Sequence, residues 1–381
     1  MKRKISFLLC CCAAAMLFSG CSPYKELKEL SIVQGMGVDS GQNGGYNLTF
    51  QVLKSKTSNN SGSQSGGGGG ENEVYVSSGT TLFDTIRNTT LQMGRKLYFP
   101  STQIFVIGEE ESKKNLVELF DFMQRNHDMR PTVKVYVSRG NANGILTATK
   151  NGSQIPAADI AEISKSYYNS SKTIDVTFSD IYMQLANGIT DPVIPVISAA
   201  NDNTGKSMVE MQGSAVFNKN VLAGYLDDSQ TRGYLWIMGK AESGIVVVYP
   251  SAGGKVSLEV TKNKSDVKIA QDKNGQAIVK ITIDVSSNMG EVQGTYSSMG
   301  MEYKQELIRL QAEVIKKEAQ SAIDGALRAY NSDIFGFGMK IFQSKPDEWK
   351  KLSKNWDTDA HKIPVEITVK SEIRQRGIIS K

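Results

Sequence analysis

The residues that most often carry chemistry are few in this sequence and lie far from one another. The chain has two histidines, His127 and His361, and neither has a second ligand at the spacing of a zinc-binding helix. His127 follows a predicted helix end, where a capping role is favoured. The adjacent Asp227 and Asp228 precede a predicted helix near Thr231, so capping and a turn explain them better than acid–base catalysis. The sequence therefore offers no catalytic residue, metal site or cofactor site.

Recognisable catalytic motifs are also absent from the sequence. The sequence contains neither a nucleophile elbow nor a complete phosphate-binding loop. The glycines at 35 and 37 lack the third glycine and the following helix of a dinucleotide-binding loop, so they predict a bulge or turn in a strand. We therefore expect a protein that is not an enzyme, although carboxylate sites leave weak signatures.

The N-terminal residues predict secretion and a lipid anchor. Three basic residues at 2–4 precede an apolar stretch at 5–18, and a small pair then leads to Cys21. This is the pattern of a secretory signal, too short for a stable membrane span. A cysteine directly after the small pair predicts a signal peptide over 1–20 and a diacylglyceryl group on Cys21. An ordinary signal followed by a chance cysteine is the alternative.

The positions of the cysteines and the net charge further limit the class of protein that the sequence can encode. Cys10, Cys11 and Cys12 lie in the apolar stretch and would leave with the signal, so no disulfide framework is expected in the mature chain. The formal charge is +5, of which the three basic residues of the signal contribute three, leaving +2 for the mature chain. Because the basic residues are dispersed, we expect no nucleic-acid partner. No second apolar run predicts a transmembrane helix.

Periodicity in the first half predicts helices packed on a mixed sheet. Alternating or continuous apolar residues predict strands at 46–52, 104–108 and 132–138. Apolar residues at helical spacing predict a helix at 80–93 and another after 109. The Gly- and Ser-rich segment 55–72 cannot bury apolar area, so it predicts a disordered surface loop.

The second half predicts a separate domain with strands and one long helix. Two prolines in 191–198 favour an edge strand or an extended crossing there, and the polar segment 198–206 favours a domain boundary. An apolar stripe at 302–331 predicts a long amphipathic helix, packed on its own sheet or presented to a partner. The sequence thus predicts an α+β fold with mixed and antiparallel sheets, divided into a region at 21–198, of one or two subdomains, and a C-terminal domain at 206–381.

Four blocks of the sequence share glycine, aromatic and charged residues with a known family, and they occur in the same order. The blocks are Cys21 with the segment 25–39; the segment 93–140 with Gly94, Arg95, Arg125, Asp128, Arg130 and Gly140; the segment 211–240 with Gly213, Phe217, Gly224, Leu226, Trp236 and Gly239; and the segment 333–357 with Asp333, Gly336, Gly338, Pro346, Trp349 and Trp356.

These blocks resemble the Ger(x)C family, the lipoprotein C subunits of nutrient germinant receptors in spore-forming bacteria. Two positions depart from the family pattern. The family's aromatic–acidic pair after the lipid cysteine is replaced by Ser22, Pro23 and Tyr24, and its histidine after the Gly-Arg segment is replaced by Pro100 and Ser101. The resemblance covers nearly the whole mature chain.

The resemblance implies a non-enzymatic subunit with a mixed α/β fold. It would sit on the outer face of the spore inner membrane, held by its diacylglyceryl anchor beside the integral-membrane A and B subunits of the receptor. A solute-binding lipoprotein of an importer is the alternative, although the predicted antiparallel second half differs from a lobe of that class. Trp236, Trp349 and Trp356 are either core residues or anchors of a contact with a membrane subunit.

Overall fold

The computed structural model describes residues 29–54, 72–125, 129–150, 153–154, 157–201, 203, 205, 207–273, 275–294 and 300–374. The predicted signal at 1–20, Cys21, His127 and nearly all of the Gly- and Ser-rich segment lie outside the described residues. Within the described part, no helix has the length and apolar character needed to cross a membrane.

A nine-stranded mixed sheet forms the larger layer of the fold. Its order is β11-β10-β9-β6-β5-β1-β2-β3, with β4 beside the start of β1. The pairs β1–β4, β1–β5, β5–β6 and β6–β9 are parallel and the others are antiparallel. The strands are β1 (Leu30–Ser40), β2 (Tyr46–Leu53), β3 (Asn72–Gly79), β4 (Lys96–Tyr98), β5 (Ile104–Ile107), β6 (Lys134–Ser138), β9 (Val193–Asn201), β10 (Ser207–Asn218) and β11 (Val221–Leu226), while β7 (Thr149–Lys150) and β8 (Ser153–Gln154) form a separate two-stranded pair.

Helices cover both faces of this sheet. One face carries α1, α3 and α7, whose apolar residues share a core with Phe50, Phe105 and Val135. The other face carries α4 and α5, which pack on Ile104, Val106 and Tyr136. Alternate residues of one strand point to opposite faces, so β5 contributes to both cores. The helices are α1 (Leu82–Met93), α2 (Glu109–Ser112), α3 (Leu116–Arg125), α4 (Ala142–Leu146), α5 (Ala157–Lys165), α6 (Tyr167–Ser170) and α7 (Phe178–Asn187).

Local sequence explains where these helices begin and end. The Thr81 side chain accepts a hydrogen bond from the backbone N–H of Asp84, and left-handed Gly94 ends α1. Thr177 and Asp180 form a reciprocal capping box at α7, which ends at left-handed Gly188. Polar caps and glycines therefore fix the helix boundaries.

The first strand contains the bulge that its glycines predict. It continues to Ser40, and its register with β2 shifts between Val33 and Gly35. A Cβ on Gly35 would lie 2.9 Å from Leu146 Cδ2, so the glycine lets α4 approach the strand.

The interpretation of 191–198 as an edge strand is wrong. This segment enters β9, an interior strand between β6 and β10. Pro195 is tolerated there because the β9–β10 ladder shifts its register between Met211 and Ser214, opposite the proline.

A four-stranded sheet forms the second layer, in the order β12-β13-β14-β15. The last strand joins in parallel and the other pairs are antiparallel. The long helix α9 continues from Met301–Ala322 into a π-helical segment at Ile323–Ala329. The elements are α8 (Asp228–Met238), β12 (Ile245–Val248), β13 (Lys255–Gln271), β14 (Ala277–Gln293), α9, α10 (Phe337–Ser344), α11 (Pro346–Leu352), α12 (Trp356–Asp359) and β15 (Val365–Ile373).

The long helix packs on its own sheet, one of the two predicted roles for its apolar stripe. Ile315, Ala319 and Ile323 are buried, and Leu307 and Leu327 are also buried. Two polar residues, Gln311 and Glu318, lie on the buried face as well, at 0% and 7% exposure. Gln311 bonds to Ser287 of β14 and Ser371 of β15, which explains its burial.

The predicted boundary at 198–206 falls at the hairpin between β9 and β10. After this hairpin, β10 and β11 add to the large sheet. Val193 and Val216 of the large sheet share one buried cluster with Val279, Ile315 and the other core residues of the second layer. The two layers are thus continuous in their core, and the independence of the two predicted domains stays a prediction.

The crossing of α8 and α9 generates a prediction about Gly233. A Cβ at this position would lie 2.0 Å from the carbonyl oxygen of Glu318. Gly233→Ala should lower the free energy of unfolding by about 2 kcal/mol or more, because the backbone of one helix must move. Gly144→Ala is the control: no atom lies within 4 Å of its Cβ position, so it should be neutral or stabilising. Equal denaturation midpoints for wild type and Gly233→Ala would contradict the close crossing.

Candidate functional site at the junction of the two layers

A polar junction joins the turn after β10 to the segment that follows α9. The Asn218 side-chain amide donates to the backbone carbonyls of Tyr330 at 3.2 Å and Asn331 at 2.8 Å. The buried Ser332 hydroxyl donates to the carbonyl of Phe217 at 2.5 Å. These bonds connect segments more than a hundred residues apart in sequence. They satisfy backbone carbonyls at the end of β10 and in the segment after α9.

Backbone conformation shapes the junction. Lys219, Asn220 and Asn331 have φ angles of 51°, 66° and 49°, in the left-handed region that asparagine tolerates better than most residues. The turn at Lys219 and Asn220 joins β10 to β11, and the carbonyl of Asn220 accepts from the N–H of Leu116 at 3.0 Å. The same turn therefore also holds the start of α3.

Two aspartates face each other across the junction through backbone bonds. The Asp191 carboxylate accepts from the N–H of Asp333 at 2.8 Å and from that of Lys219 at 3.3 Å. Asp333, fully buried, accepts from the N–H groups of Phe337 at 2.9 Å and Gly338 at 2.7 Å and so caps α10. Each carboxylate thus fixes backbone donors of another segment.

Burial raises the pKa of both aspartates above the ordinary value of a carboxyl group. Burial raises the pKa of Asp191 to about 7, and the nearby Asp333 carboxyl adds to this rise. Burial also raises the pKa of Asp333 to about 6, since its backbone hydrogen bonds only partly offset the loss of water. Both groups therefore change charge in the pH range near neutrality.

His361 and Asp357 complete the junction. The Asn331 side-chain oxygen lies 3.0 Å from the backbone nitrogen of His361 and 3.1 Å from its Nδ1. The Asn331 amide also donates to the carbonyl of Asp357. The Lys219 ammonium lies 3.7 Å from the Asp357 carboxylate. His361 is therefore part of a structural hydrogen-bond network, in accord with the absence of any metal-ligand spacing around it.

A polar cleft of about 250 Å³ opens at the junction. Asp191, Asn218, Lys219 and Asn331 line one part, and Trp356 and Asp357 line another. Among the described residues, no group of three or more His, Cys, Asp or Glu side chains is placed to hold a metal ion. In the cleft, carboxylates and amides bond to backbone groups, and these bonds connect the two layers.

Several of the residues that carry the family resemblance lie at this junction. A Cβ on Gly338 would lie 2.7 Å from Trp356 Nε1, and a Cβ on Gly224 would lie 2.2 Å from Cζ of Tyr330. Gly336 has φ 71° and lies between Asp333 and the first residue of α10, the helix that Asp333 caps. Glycine at these positions permits the close approach of an aromatic ring or the left-handed turn.

The tryptophans separate into two classes. Trp236 is fully buried and Trp356 is 5% exposed, so both are core residues and not interface anchors. Trp349 is half-buried, with its ring centroid 5.3 Å from that of Trp356 and 6.5 Å from that of Phe342. Phe342 is 47% exposed. The surface formed by Phe342 and Trp349 is what remains of the predicted aromatic contact.

A second buried polar group supports the C-terminal layer. Arg232 of α8 bonds to Glu318 of α9 through two guanidinium nitrogens, one at 2.8 Å, and Trp236 Nε1 donates to the same carboxylate at 2.8 Å. Because all three are largely buried, this group fixes the relative position of the two helices.

The other predicted positions have structural roles or lie outside the described residues. Asp227 caps α8 in a capping box with Gln230, as predicted, and Asp228 is the first residue of that helix. Cys21 and His127 lie outside the described residues. Sequence patterns did not reveal Asp191, Asn218 and Asn331; the Asn-Lys-Asn turn at 218–220 was the available signal.

The raised pKa values predict a pH dependence of stability. Because folding raises the pKa of Asp191 and Asp333, the folded chain binds more protons, and its stability should fall as the pH rises from about 4 through about 7. Denaturant unfolding from about pH 5 to about pH 8 should show this fall, and Asp191→Asn should flatten it. Asp347→Asn, at a 93% exposed carboxylate, should leave the slope unchanged. The same pH dependence of stability in wild type and Asp191→Asn would contradict a raised pKa of Asp191 in the folded chain.

Comparison with known proteins agrees with this architecture. The family model described as the N-terminal domain of spore germination proteins matches residues 23–199, and the one described as spore germination B3/GerAC-like, C-terminal, matches residues 212–377.

Curated relatives and a solved structure match over nearly their whole length. Spore germination protein KC of Bacillus subtilis (strain 168) is 23% identical over 99% of this chain and 97% of that protein. Spore germination protein B3 of the same organism is 21% identical over 95% of each. The crystal structure of the GerBC protein superposes with a TM-score of 0.58 at 17% identity, covering 89% of this chain and 96% of that one, so the fold is shared. The chain belongs to the GerAC-like family of spore germination proteins, the Ger(x)C family that its sequence blocks resemble.

Proposed function

We propose that this protein is a non-enzymatic, lipid-anchored subunit of a spore nutrient germinant receptor. It would lie on the outer face of the spore inner membrane and act through contact with the receptor's integral-membrane A and B subunits. The observation that carries the proposal is the match of both family models, which together span most of the chain. The two spore germination proteins named above match this chain over nearly their full length.

The geometry of the junction supports a binding subunit in preference to a catalyst. Its polar groups bond to backbone atoms of neighbouring segments, and each buried carboxylate caps or links an element. A catalytic site needs a nucleophile, a base and electrophilic donors aimed at one point. In the described part of the chain, the polar groups that meet at the junction are instead bonded to backbone atoms of neighbouring segments.

The solute-binding alternative has less support in the topology. Solute-binding proteins of importers close two α/β lobes around a cleft by a hinge motion. Here the second layer is a four-stranded, mostly antiparallel sheet, and its core is continuous with that of the first layer. A shared core opposes hinge opening at this junction.

An aromatic surface is available for contact with a membrane subunit. Phe342 of α10 and Trp349 of α11 pack edge to face and remain partly exposed on the C-terminal layer. Aromatic residues are enriched where protein interfaces concentrate their binding energy. This surface replaces Trp236 and Trp356, which are buried, as the candidate contact.

Membrane fractionation and purification of a C-terminally tagged chain test this proposal. Cys21→Ala should appear in the soluble fraction, because the predicted signal is too short to span the bilayer stably. Cys12→Ala is the matched control, since Cys12 would leave with the signal; it should stay in the membrane and co-purify two integral-membrane proteins in mild detergent.

Two results would contradict the proposal in different ways. Cys21→Ala that still pellets with membranes after a salt wash would contradict the anchor. A membrane-bound control that purifies without integral-membrane partners would contradict the receptor assembly.

A further inference from the structure

Lysines border the aromatic surface of α10 and α11. Lys345 lies between the two helices: its backbone N–H donates to the carbonyl of Ile341 at 2.8 Å, and its own carbonyl accepts from the N–H of Trp349 at 3.0 Å. Lys354 is exposed in the turn after α11. Within the described part of the chain, neither of these lysines takes part in an ion pair. Two cations without a counter-charge therefore flank the Phe342–Trp349 pair in the chain.

The acidic groups of the same segment do not cancel this charge. Residues 337–355 contain five lysines and two acidic residues, so their net charge is +3. Asp347 pairs with Lys350 at 3.1 Å. Glu348 accepts from the uncharged side-chain amide of Gln271 and therefore keeps its full charge in this count. The segment carries an excess of positive charge with every carboxylate included.

The acidic residues that pack around this segment leave the excess in place. The Asp357 carboxylate lies 3.7 Å from the Lys219 ammonium, and the Asp359 carboxylate lies 2.8 Å from the Lys362 ammonium, so each acid is matched by a base. Asp333, at the start of α10, is fully buried. The exposed charge of this part of the C-terminal layer is therefore basic, which favours an anionic partner.

The register of the large sheet places the start of α10 at the end of the sheet where the chain enters. Strands β1, β5, β6 and β9 run parallel, so the residues just before β9 lie at the same end as Leu30, the first residue of β1. Asp191, just before β9, accepts from the N–H of Asp333, and Asp333 caps α10. Three strand spacings separate β1 from β9, which is about 14 Å. The start of α10 is thus close to the entry of the chain.

The length of the preceding chain links this end of the sheet to the membrane. Residues 22–29 separate Cys21 from Leu30, and a fully extended chain of that length spans about 30 Å. A lipid on Cys21 would hold α10 within reach of the outer-face segments of integral-membrane proteins, at a high effective concentration. Basic residues of such proteins are concentrated in their cytoplasmic loops, so their outer-face segments are poor in Lys and Arg. A basic surface on the outer face complements segments of this kind.

The polar surroundings of Phe342 favour a protein partner over the lipid bilayer. Helices that bind in the membrane interface bury a continuous apolar face. Helix α10 has eight residues, and Lys340, Gln343 and Ser344 are exposed on it together with Phe342. Insertion of the Phe342 ring into lipid would carry these polar groups with it, whereas a protein partner can offer them hydrogen bonds at the rim of an interface.

Resting on the receptor role proposed above, we infer that the aromatic–basic surface formed by Phe342, Lys345, Trp349 and Lys354 binds an acidic segment on the outer face of an integral-membrane subunit. The two rings receive an apolar side chain of that segment, and the lysines pair with the carboxylates beside it. The partner is thereby defined by its chemistry, an apolar side chain flanked by Asp or Glu.

Photocrosslinking in receptor-containing membranes tests this inference on the full lipidated chain. The photoreactive residue p-benzoylphenylalanine replaces Phe342, and in the control chain it replaces Tyr249, a 66% exposed aromatic residue directly after β12. Both exchanges keep an aromatic ring at an exposed position, so the fold should persist. Position 342 should crosslink to an integral-membrane subunit through a peptide rich in Asp or Glu, and position 249 should not.

Neutralising the lysines tests the charge of the surface separately from its rings. Lys345→Gln combined with Lys354→Gln should lower the yield of the crosslink at position 342 at least about threefold, because two charge contacts are lost. Lys262→Gln combined with Lys264→Gln removes the same charge from exposed positions of β13 and should leave the yield unchanged. Equal yields in the two double variants would overturn the pairing with carboxylates.

The same experiment separates failure of this inference from failure of the receptor role. Co-purification of the membrane subunits without a crosslink at position 342 would overturn the aromatic–basic surface and leave the receptor role in place. Absence of the membrane subunits from the purified sample would overturn both. A crosslink at position 342 to lipid, to a second copy of this chain or to a peptide without carboxylates would overturn the acidic partner.

Discussion

The hydrogen bonds that Asn218 donates to the carbonyls of Tyr330 and Asn331 join the two layers at a polar junction beside their shared apolar core. Around them, Asp191 and Asp333 fix the backbone of the turn after β10, the segment after α9 and the start of α10. A buried polar group without a partner is costly, so each of these bonds requires the other layer to be in place. The arrangement of the whole chain depends on this mutual requirement.

The same constraint gives a structural role to several residues of the blocks that resemble the family. Gly224, Gly336 and Gly338 permit the close contacts or left-handed turn on which the junction depends, and Asp333 caps the helix that follows. The motif residues of the second half thus specify a fixed relation between layers. For the contact role proposed above, a rigid body with defined surfaces would be the relevant property, and the polar junction contributes to that rigidity.

The sequence predicted what is encoded locally. The helix predicted at 80–93 is α1, and the capping role predicted for Asp227 is confirmed, because both depend on side chains within a few residues. The α+β class followed from periodicity and was confirmed by the mixed nine-stranded and four-stranded sheets.

Features set by distant contacts were missed. Asn218 and Asn331 are separated by more than a hundred residues, and nothing near either one indicates their bond. Gln311 and Glu318 lie on the buried side of α9 because Ser287, Ser371 and Arg232 meet them from other segments. The prolines near β9 suggested an edge because the bulge that accommodates Pro195 belongs to the neighbouring strand.

Native-state hydrogen exchange tests most directly whether the junction makes the two layers one cooperative unit. Amides of β5 in the large sheet and β14 in the small sheet should open with the same free energy in the wild-type chain, since neither layer keeps its polar partners when the other unfolds. Asn218→Ala should lower both opening free energies by the same amount, and Gln124→Ala, at an exposed position of α3, should change neither. Separate opening free energies for β5 and β14 in the wild type, or an effect of Asn218→Ala confined to one sheet, would contradict this account.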